Sequence, residues 1–434
     1  MTPPPTPPPT ARGPLAAACE AVYREALARL QAGPLVAAAL RAEPLPAGPV
    51  RLLAFGKAAG PMLAAALGEL GARARDPLCV LPEGSPAPAG ARAIPAGHPR
   101  PTEGSRRAGE AVLAWAHAGG GVPALVLVSG GGSALVAAPP PGAFSLEEKA
   151  QALAEVMRAG ATIQALNAVR KHLSALKGGR LGALLAPAPV RVLVLSDVPG
   201  DDLSTIASGP LVPDPTTWAD VHRILAELGV GDRLPDPVRR FVLEAPQRGD
   251  ETPKPGDPRF ASVAHRLLAG PVELARAAAE AARAHGFEAE WDPAPITGDV
   301  AAAAARAVAW ARTSLGRGPR LLAVGGEPTI RIPASATRAE GGRAQHLALL
   351  AATGLDGLPA AVLAAGSDGR DGPTEQAGAV VDGATAAVAR ASGLELTAAL
   401  DAARSGPAAV TLGAAIPRFE SGTHLCDLLL VAVH

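Results

Sequence analysis

ALVLVSGGGS, residues 124–133, joins five apolar residues to a turn of three glycines between two serines. The apolar run is short and uninterrupted, which is typical of a strand buried on both faces of a parallel sheet. Similar runs occur on either side, at VRLLAFG (50–56) and VRVLVLSDV (190–198). Helical periodicity fills the intervals, for example in EGSRRAGEAVLAWAHA (103–118) and NAVRKHLSALKGGRLGALLA (167–186). Strands that alternate with helices predict a parallel α/β sheet covered on both faces.

The alternation resumes in the last third of the chain. RLLAVGG (320–326) and LCDLLLVAV (425–433) are predicted strands, EPTIRIP (327–333) alternates like an adjoining strand, and GGRAQHLALLAA (341–352) is a predicted helix. The Pro-rich, charged segment 234–259 separates the two halves and is the predicted domain boundary. The sequence therefore predicts two α/β domains with the site in the cleft between them.

Composition excludes several classes of function. The 434-residue chain has 40 Lys and Arg against 40 Asp and Glu, so its formal net charge is zero. Proteins that bind nucleic acid through its phosphates usually carry a basic excess, so we expect no nucleic-acid partner. The three cysteines are isolated, which predicts reduced thiols without a disulfide framework or a zinc site.

The ends and the uncharged stretches predict a cytoplasmic protein. MTPPPTPPPTARG (1–13) is rich in Pro and Thr and predicts a disordered tail, not a signal peptide. The longest uncharged stretch, 118–146, has clustered Gly and Pro in its middle, so we expect no membrane-spanning helix.

The glycine-rich turn after the strand 124–128 is the first candidate site, since parallel sheets bind ligands at the carboxyl ends of their strands. Glycines allow a tight turn that presents a row of backbone N–H groups, and the serines add hydroxyl donors, as in a phosphate cradle. The candidate residues are Ser129, Gly130, Gly131, Gly132 and Ser133. A plain flexible turn is the alternative. The turn is neither a Walker A loop nor a dinucleotide fingerprint.

Basic residues supply the second group of candidates. Lys57 and Arg343 each stand at the start of a predicted helix, where a cation opposes the helix dipole unless it faces an anion. For Lys57 a solvated side chain is an equally weighted alternative. Arg170 and Lys177 share one face of the predicted helix 167–186 and suit an anionic ligand, although such a charge run by itself is more typical of a solvated face.

Carboxylates near these loops predict a Mg²⁺ site. Asp197 directly follows the strand 190–195 and is the preferred metal ligand, with Asp201 as a second ligand or a turn former. Further candidates for binding substrate or phosphate are Ser208, Glu327 and Asp368, in loops of similar character. The nine His, among them His98, have no ligand spacing and are interpreted as structural. Two domains with anion-binding loops and carboxylates together indicate phosphoryl transfer.

Seven motifs then resemble, in order, those of the class II glycerate 2-kinases, the family whose C-terminal part is called the MOFRL domain. They are FGKAAGPM, LVSGGGSAL, LNAVRKHLSALKGGRLG, LVLSDVPGDDLSTIASGPLVPDPTT, VGGEPTIRI, GGRAQHLAL and AGSDGRDGPTEQAGAVVDGAT. The resemblance implies a larger Rossmann-like, doubly wound N-terminal domain (14–245), a linker (246–259) and a smaller C-terminal α/β domain (260–434). It also implies ATP- and Mg²⁺-dependent phosphorylation of D-glycerate at the 2-hydroxyl, with Lys57 and Arg343 as catalytic residues.

This chain departs from the family pattern at two places, which bear on acceptor specificity. Ala344-Gln345-His346 stands where the family usually has Asn-Gln-Glu, and His424-Leu425-Cys426 replaces a pattern closer to Asn-Val-Asn.

The hypothesis at this point is that Lys57 and Arg343 approach from opposite domains and stabilise the transferring phosphoryl group or the glycerate carboxylate. Asp197 would help to hold Mg²⁺. Two alternatives stay open: an NAD(P)H-dependent hydroxypyruvate reductase, and a non-enzymatic regulator that binds sugar phosphates. The expected partners are small molecules, D-glycerate and ATP, with no membrane partner; a homodimer is left open.

Overall fold

The structure, a computed structural model, describes residues 12–332 and 340–434. These residues form two compact units. The N-terminal unit contains Ala32–Ser196 and Asp201–Leu268, and the C-terminal unit contains the described residues up to Gln31, then Asp197–Gly200 and Ala269–His434. Helix α1 (Pro14–Arg29) therefore belongs to the C-terminal unit.

The N-terminal unit is built on a six-stranded sheet in the order β3-β2-β1-β4-β5-β6. Its strands are β1 (Val50–Phe55), β2 (Ala74–Pro82), β3 (Arg92–Ala96), β4 (Ala124–Val128), β5 (Val190–Leu195) and β6 (Val263–Ala269). The pairs from β3 through to β5 are all parallel. The chain order reverses between β1 and β4, as in a doubly wound Rossmann sheet, and both strands are buried along their full length. The predicted α/β fold class is confirmed, and the reversal marks the edge where such sheets bind ligands.

Helices cover this sheet and carry ordinary N-terminal signals. For example, Ser145 accepts a hydrogen bond from the Glu148 N–H while the Glu148 carboxylate accepts one from the Ser145 N–H, a capping box. The helices are α2 (Ala32–Ala42), α3 (Ala59–Leu70), α4 (Glu103–His117), α5 (Gly132–Leu135), α6 (Leu146–Arg158), α7 (Ile163–His172), α8 (Arg180–Leu185), α9 (Trp218–Glu227), α10 (Asp236–Leu243) and α11 (Ala245–Arg248).

The C-terminal unit contains a mixed six-stranded sheet in the order β11-β10-β9-β12-β8-β7. Its strands are β7 (Glu288–Ile296), β8 (Arg320–Gly326), β9 (Ala360–Gly366), β10 (Gln376–Asp382), β11 (Ala415–Pro417) and β12 (Asp427–Val433). The last strand, β12, is antiparallel to both of its neighbours, β8 and β9, and is buried throughout. Its first residue therefore lies beside the carboxyl ends of β8 and β9.

Alanine-rich helices pack closely on this sheet. The helices are α12 (Pro271–Ala284), α13 (Val300–Ser314), α14 (Arg343–Gly354), α15 (Thr385–Ala391), α16 (Leu396–Asp401) and α17 (Ser405–Thr411). Helices α13 and α14 share one core cluster with alternate residues of the strands, whereas α1 and α12 contact the sheet outside that cluster. No helix in the described part of the chain is both long enough and apolar enough to cross a bilayer.

Two of the predicted elements are wrong. Residues 167–186 do not form one helix: α7 ends at His172, and Gly178 and Gly179, with φ values of +58° and +82° that no helix interior adopts, lie directly before α8. Residues 327–332 form no strand beyond a single bridge between Thr329 and Asp299. An adjoining strand has no place beside β8, because β8 is already paired with β7 and β12. Pro333, the last residue of the predicted strand, lies outside the described residues.

The compact units also divide the chain at other places than the predicted boundaries 14–245 and 260–434, which stay a prediction. The predicted linker lies inside the N-terminal unit, where Trp218 Nε1 donates to the Asp250 carbonyl at 2.8 Å and Thr252 Oγ1 donates to Asp214. Of the predicted disordered tail, residues 1–11 lie outside the described part of the chain. Gly13 N, at the end of that predicted tail, donates to Asp382 at 3.2 Å.

Candidate functional site

Two loops meet in the N-terminal unit where the chain order reverses. The Lys57 N–H donates to the Gly130 carbonyl at 2.9 Å, and the Ala58 N–H donates to Ser129 Oγ at 3.0 Å. The backbones approach so closely that a Cβ at Gly56 would lie 2.2 Å from Ser129 Oγ. The structure therefore brings the predicted Lys57 together with the glycine-rich loop after β4.

Gly131, at the centre of this loop, leaves little room for a side chain. Its φ is +83°, and an added Cβ would lie 3.1 Å from Lys57 Cγ and 3.1 Å from His98 Cδ2. His98 is exposed and was interpreted as structural; it now joins the residues beside the loop. No spacing in the sequence connects it to residues 129–133, since it follows a different strand, β3.

Ser133 and Ser208 extend the same group of residues. Their hydroxyl oxygens lie 2.7 Å apart, and Ser208 is in a short turn that follows β5 in the chain. Lys177 Nζ donates to the Ser133 carbonyl at 3.0 Å and to the Val136 carbonyl at 3.2 Å, so this predicted residue also lies next to the loop.

The basic segment is not a solvated face, and that interpretation of it is wrong. Lys171 and Lys177 are only 4% and 3% exposed, and Arg170 is half-buried with Nη1 donating to Asn167 Oδ1 at 2.7 Å. Burial lowers the pKa of Arg170, and burial with neighbouring cations lowers that of Lys177. The cations of this segment therefore belong to the interior of the N-terminal unit.

Arg343 organises a second group of residues, in the C-terminal unit. It is the first residue of α14, and its Nε donates to Asp427 Oδ2 at 2.6 Å while Nη1 contacts Glu327. Burial alone would lower the pKa of the guanidinium, but Asp427 and Glu327 outweigh it and raise that pKa. Arg343 is therefore a fixed positive charge held in place by two carboxylates.

The N-terminus of α14 is already occupied by a protein carboxylate. Asp371 accepts hydrogen bonds from the Ala344 N–H at 3.1 Å and the Gln345 N–H at 2.7 Å, and a Cβ at Gly342 would lie 2.1 Å from its Cγ. Burial and then Asp427 raise the pKa of Asp371 to about 7. The Ala344 and Gln345 amides are therefore not open to a substrate anion, whereas the Arg343 side chain is partly exposed.

Asp197 clusters with this second group and not with the strand that precedes it. Its carboxylate lies 3.1 Å from His424 Nε2, and its carbonyl accepts a hydrogen bond from Cys426 Sγ at 2.8 Å. Asp368 Oδ2 lies 3.8 Å from His424 Nδ1. Burial and then Asp197 raise the pKa of the Cys426 thiol. Two of the three residues at the second departure from the family pattern, His424 and Cys426, thus hold Asp197.

The group around Arg343 combines predicted and unpredicted residues. Glu327, Arg343, Asp197 and Asp368 were predicted, whereas Asp371, His424 and Asp427 were not assigned to the site. Asp427 could have been found, because it begins a strand that is otherwise wholly apolar. Burial raises the pKa of Glu327 and outweighs the opposing effect of Arg343. The neighbouring carboxylates of Asp197 and Asp427 raise this pKa further, so the three carboxylates act on one another.

The carboxylates fit a Mg²⁺ ion only in the way that kinases usually hold it. Among the described residues no group of three or more His, Cys, Asp or Glu side chains could hold a metal ion. Mg²⁺ is usually held by one or two carboxylates together with substrate phosphates, and the partly exposed Asp197 carboxylate is a donor of that kind. Asp201, the second predicted metal ligand, belongs to the N-terminal unit and stays a prediction.

Comparison with known proteins finds two family models and several relatives that match this chain. A family model described as a domain of unknown function, DUF4147, matches residues 18–243, and the MOFRL family model matches residues 320–427. The D-glycerate 2-kinase of Thermotoga maritima is 36% identical over 390 residues, which are 88% of this chain and 90% of that protein. A putative hydroxypyruvate reductase of Agrobacterium vitis is 34% identical over 354 residues, 78% of this chain and 77% of that protein.

The likeness extends to structure. A crystal structure of glycerate kinase from Thermotoga maritima superposes with a TM-score of 0.85 at 32% identity and covers 97% of this chain and 99% of that one. The matches confirm the resemblance that the seven motifs indicated. Because both the sequence and the fold match over most of their length, this chain belongs to the DUF4147–MOFRL family of glycerate kinases.

Proposed function

We propose that the protein transfers the γ-phosphoryl group of Mg²⁺-ATP to the 2-hydroxyl of D-glycerate and releases ADP and 2-phosphoglycerate. The observation that supports this most directly is the loop at the sheet reversal, where Lys57 is held beside a glycine-rich turn. Chain reversals in doubly wound sheets are where such folds bind nucleotides and other anions.

In the N-terminal unit, the proposed role of residues 129–133 is to bind phosphate oxygens through backbone N–H groups and hydroxyls. Lys57, whose N–H is bonded to Gly130, would place its ammonium on the same oxygens. Since phosphoryl transfer needs positioning and charge neutralisation more than covalent chemistry, a cation whose backbone is bonded to a preformed loop is a suitable catalyst.

In the C-terminal unit, Arg343 is the proposed second cation. Its contacts with Asp427 and Glu327 orient the guanidinium while leaving it partly exposed, at 32% of its side-chain surface. Asp197 is the proposed protein ligand of Mg²⁺, together with phosphate oxygens, and the bound ion would neutralise charge on them. His424 and Cys426 hold Asp197 in position through its carboxylate and its carbonyl.

An assay with two parallel reactions tests this proposal. One reaction contains the purified protein, Mg²⁺-ATP and D-glycerate, with ADP release coupled to a detector. The other contains hydroxypyruvate with NADH or NADPH, because one relative carries a reductase name. We expect ADP release that requires glycerate and no nicotinamide oxidation. Nicotinamide oxidation without ADP release would establish the reductase, and silence in both with tight binding of a sugar phosphate would establish the regulator.

Location in the cytoplasm and dimerisation are separate expectations. Cell fractionation tests the first, and light scattering of the purified chain tests the second.

A further inference from the structure

Three cationic side chains of the N-terminal unit act on one another: Lys149 on α6, Arg170 on α7, which packs against α6, and Lys177, which contacts the glycine-rich loop. Lys149 and Lys177 are each 3% exposed, and Arg170 is half-buried. Lys177 is tied to the loop through the Ser133 carbonyl. We call these three residues the cation cluster.

The members of the cation cluster differ in how their polar atoms are satisfied. Lys177 Nζ donates to two backbone carbonyls and Arg170 donates to the neutral Asn167 side chain. Lys149 Nζ is enclosed by protein and makes no hydrogen bond to any described residue. An ammonium group that is both buried and unpartnered is rare, since burial removes its hydration without replacing it.

Carboxylates close in sequence or space serve other partners. Asp214 pairs with Lys171, whose Nζ lies 3.2 Å from Oδ1, and Glu251 pairs with His172 at 2.9 Å. Glu148 caps the helix that carries Lys149. Within the described parts of the chain, no acidic side chain forms an ion pair with any member of the cation cluster.

The cation cluster destabilises the fold of the ligand-free protein. Burial, followed by the charge of Arg170, lowers the pKa of Lys149 to about 7, and burial with the other two cations lowers the pKa of Lys177. A buried cation without a partner destabilises the fold, and replacing it with an apolar side chain of similar volume is often stabilising. Such a cluster is therefore better explained by an anion that binds beside it than by a contribution to folding.

We infer that the cation cluster supports the binding of a nucleotide phosphate on the Ser129–Ser133 loop, with Lys149 as a positioning residue that acts through its charge. The partly exposed Arg170 would contact the anion, and Lys149, being enclosed, would raise the positive potential at the loop without contact. A phosphate is favoured over a carboxylate because Lys177 fixes the cluster to a loop whose glycines and serines suit phosphate oxygens. The identity of the phosphate, that of ATP or ADP, rests on the proposed function.

Opposite effects on stability and on binding provide the test. The wild type and Lys149→Met are compared as full chains. Thermal unfolding is measured without ligand, and the binding of ADP and of D-glycerate is measured by calorimetry. Lys149→Met removes a buried, unpaired ammonium, so the melting temperature is expected to rise. The same change removes a positive charge that attracts the phosphate through the protein interior, so ADP binding is expected to weaken by about tenfold. Lys149→Arg, which retains the charge, is expected to restore ADP affinity.

Lys171→Met is the matched control for stability. Lys171 is equally buried and follows Arg170 directly, but it has a partner in Asp214. Its replacement leaves the buried Asp214 carboxylate without an ammonium partner, so the melting temperature is expected to fall.

The remaining outcomes decide against the inference or against the proposed function, and they can be told apart. Unchanged ADP affinity in Lys149→Met would show that the ammonium is only a structural burden. Weaker D-glycerate binding with unchanged ADP binding would assign the cluster to a carboxylate. Absence of kinase activity in the wild type, with ADP binding still sensitive to Lys149, would refute the proposed function and leave the phosphate site standing.

Discussion

Gly131→Ala is the substitution that examines the glycine-rich loop most closely. The wild-type φ of +83° disfavours any residue with a Cβ, so the free energy of unfolding is expected to fall by about 1–2 kcal/mol. The new Cβ would also lie 3.1 Å from Lys57 Cγ and from His98 Cδ2, tighter than ordinary contact. Both side chains would have to move by a few tenths of an ångström.

A second glycine separates these two effects. Gly121 has a φ of +80°, and no heavy atom of the described residues lies within 4 Å of a Cβ placed there. It precedes β4, at the end of that strand opposite to the glycine-rich loop. Gly121→Ala should therefore lose the same free energy of unfolding as Gly131→Ala without displacing Lys57.

The assay is urea unfolding of both variants, followed by steady-state kinase kinetics under conditions where both are folded. Because small misplacements of a catalytic group are costly, Gly131→Ala should reduce kcat/KM by about ten- to a hundredfold, with Gly121→Ala near the wild type. Wild-type activity in both variants would refute the claim that Lys57 must be held beside this loop. Equal loss of activity in both would attribute the effect to backbone strain alone.

Three further predictions concern charged residues. Lys57→Ala should lower kcat by about a hundredfold, which steady-state kinetics will measure; a rate within a factor of a few of the wild type would remove Lys57 from the mechanism. Arg343→Ala should lower kcat similarly and also the melting temperature, since Asp427 and Glu327 lose their cation; an unchanged melting temperature would contradict the pairing. The folded-state pKa of Asp371 lies above its unfolded value, so its ionisation weakens the fold as pH rises from about 4 to 7. Asp371→Asn should flatten that slope in urea unfolding; a slope equal to that of the wild type would show that Asp371 titrates normally.

The sequence was most informative where local patterns determine position. Apolar runs followed by Gly-Lys and by Ser-Gly-Gly-Gly-Ser predicted two strand ends, and parallel strands bring such ends to one edge of the sheet. Lys57 and residues 129–133 are adjacent for that reason.

Residues that pair across long distances were harder to predict. Asp371 caps α14 from a loop that follows β9, and Asp197 joins the C-terminal unit through His424 and Cys426, which follow it by more than 200 residues. The local periodicity of apolar residues in the sequence does not predict such long-range contacts.

Two further patterns in the sequence indicate features that the structure shows. Lys149 lies three and seven residues before the fully buried Ala152 and Val156, on the apolar face of its helix, which marks it as a buried lysine. The glycine pair after Lys177 likewise indicated that residues 167–186 are not one continuous helix.

The product of the reaction tests the central claim most directly. Phosphorus NMR spectra of a mixture of the protein, Mg²⁺-ATP and D-glycerate should show ADP and 2-phosphoglycerate growing in equal amounts, with neither formed when glycerate is omitted. A 3-phosphoglycerate signal would contradict the proposed position of transfer, and spectra in which ATP persists unchanged would contradict the kinase itself.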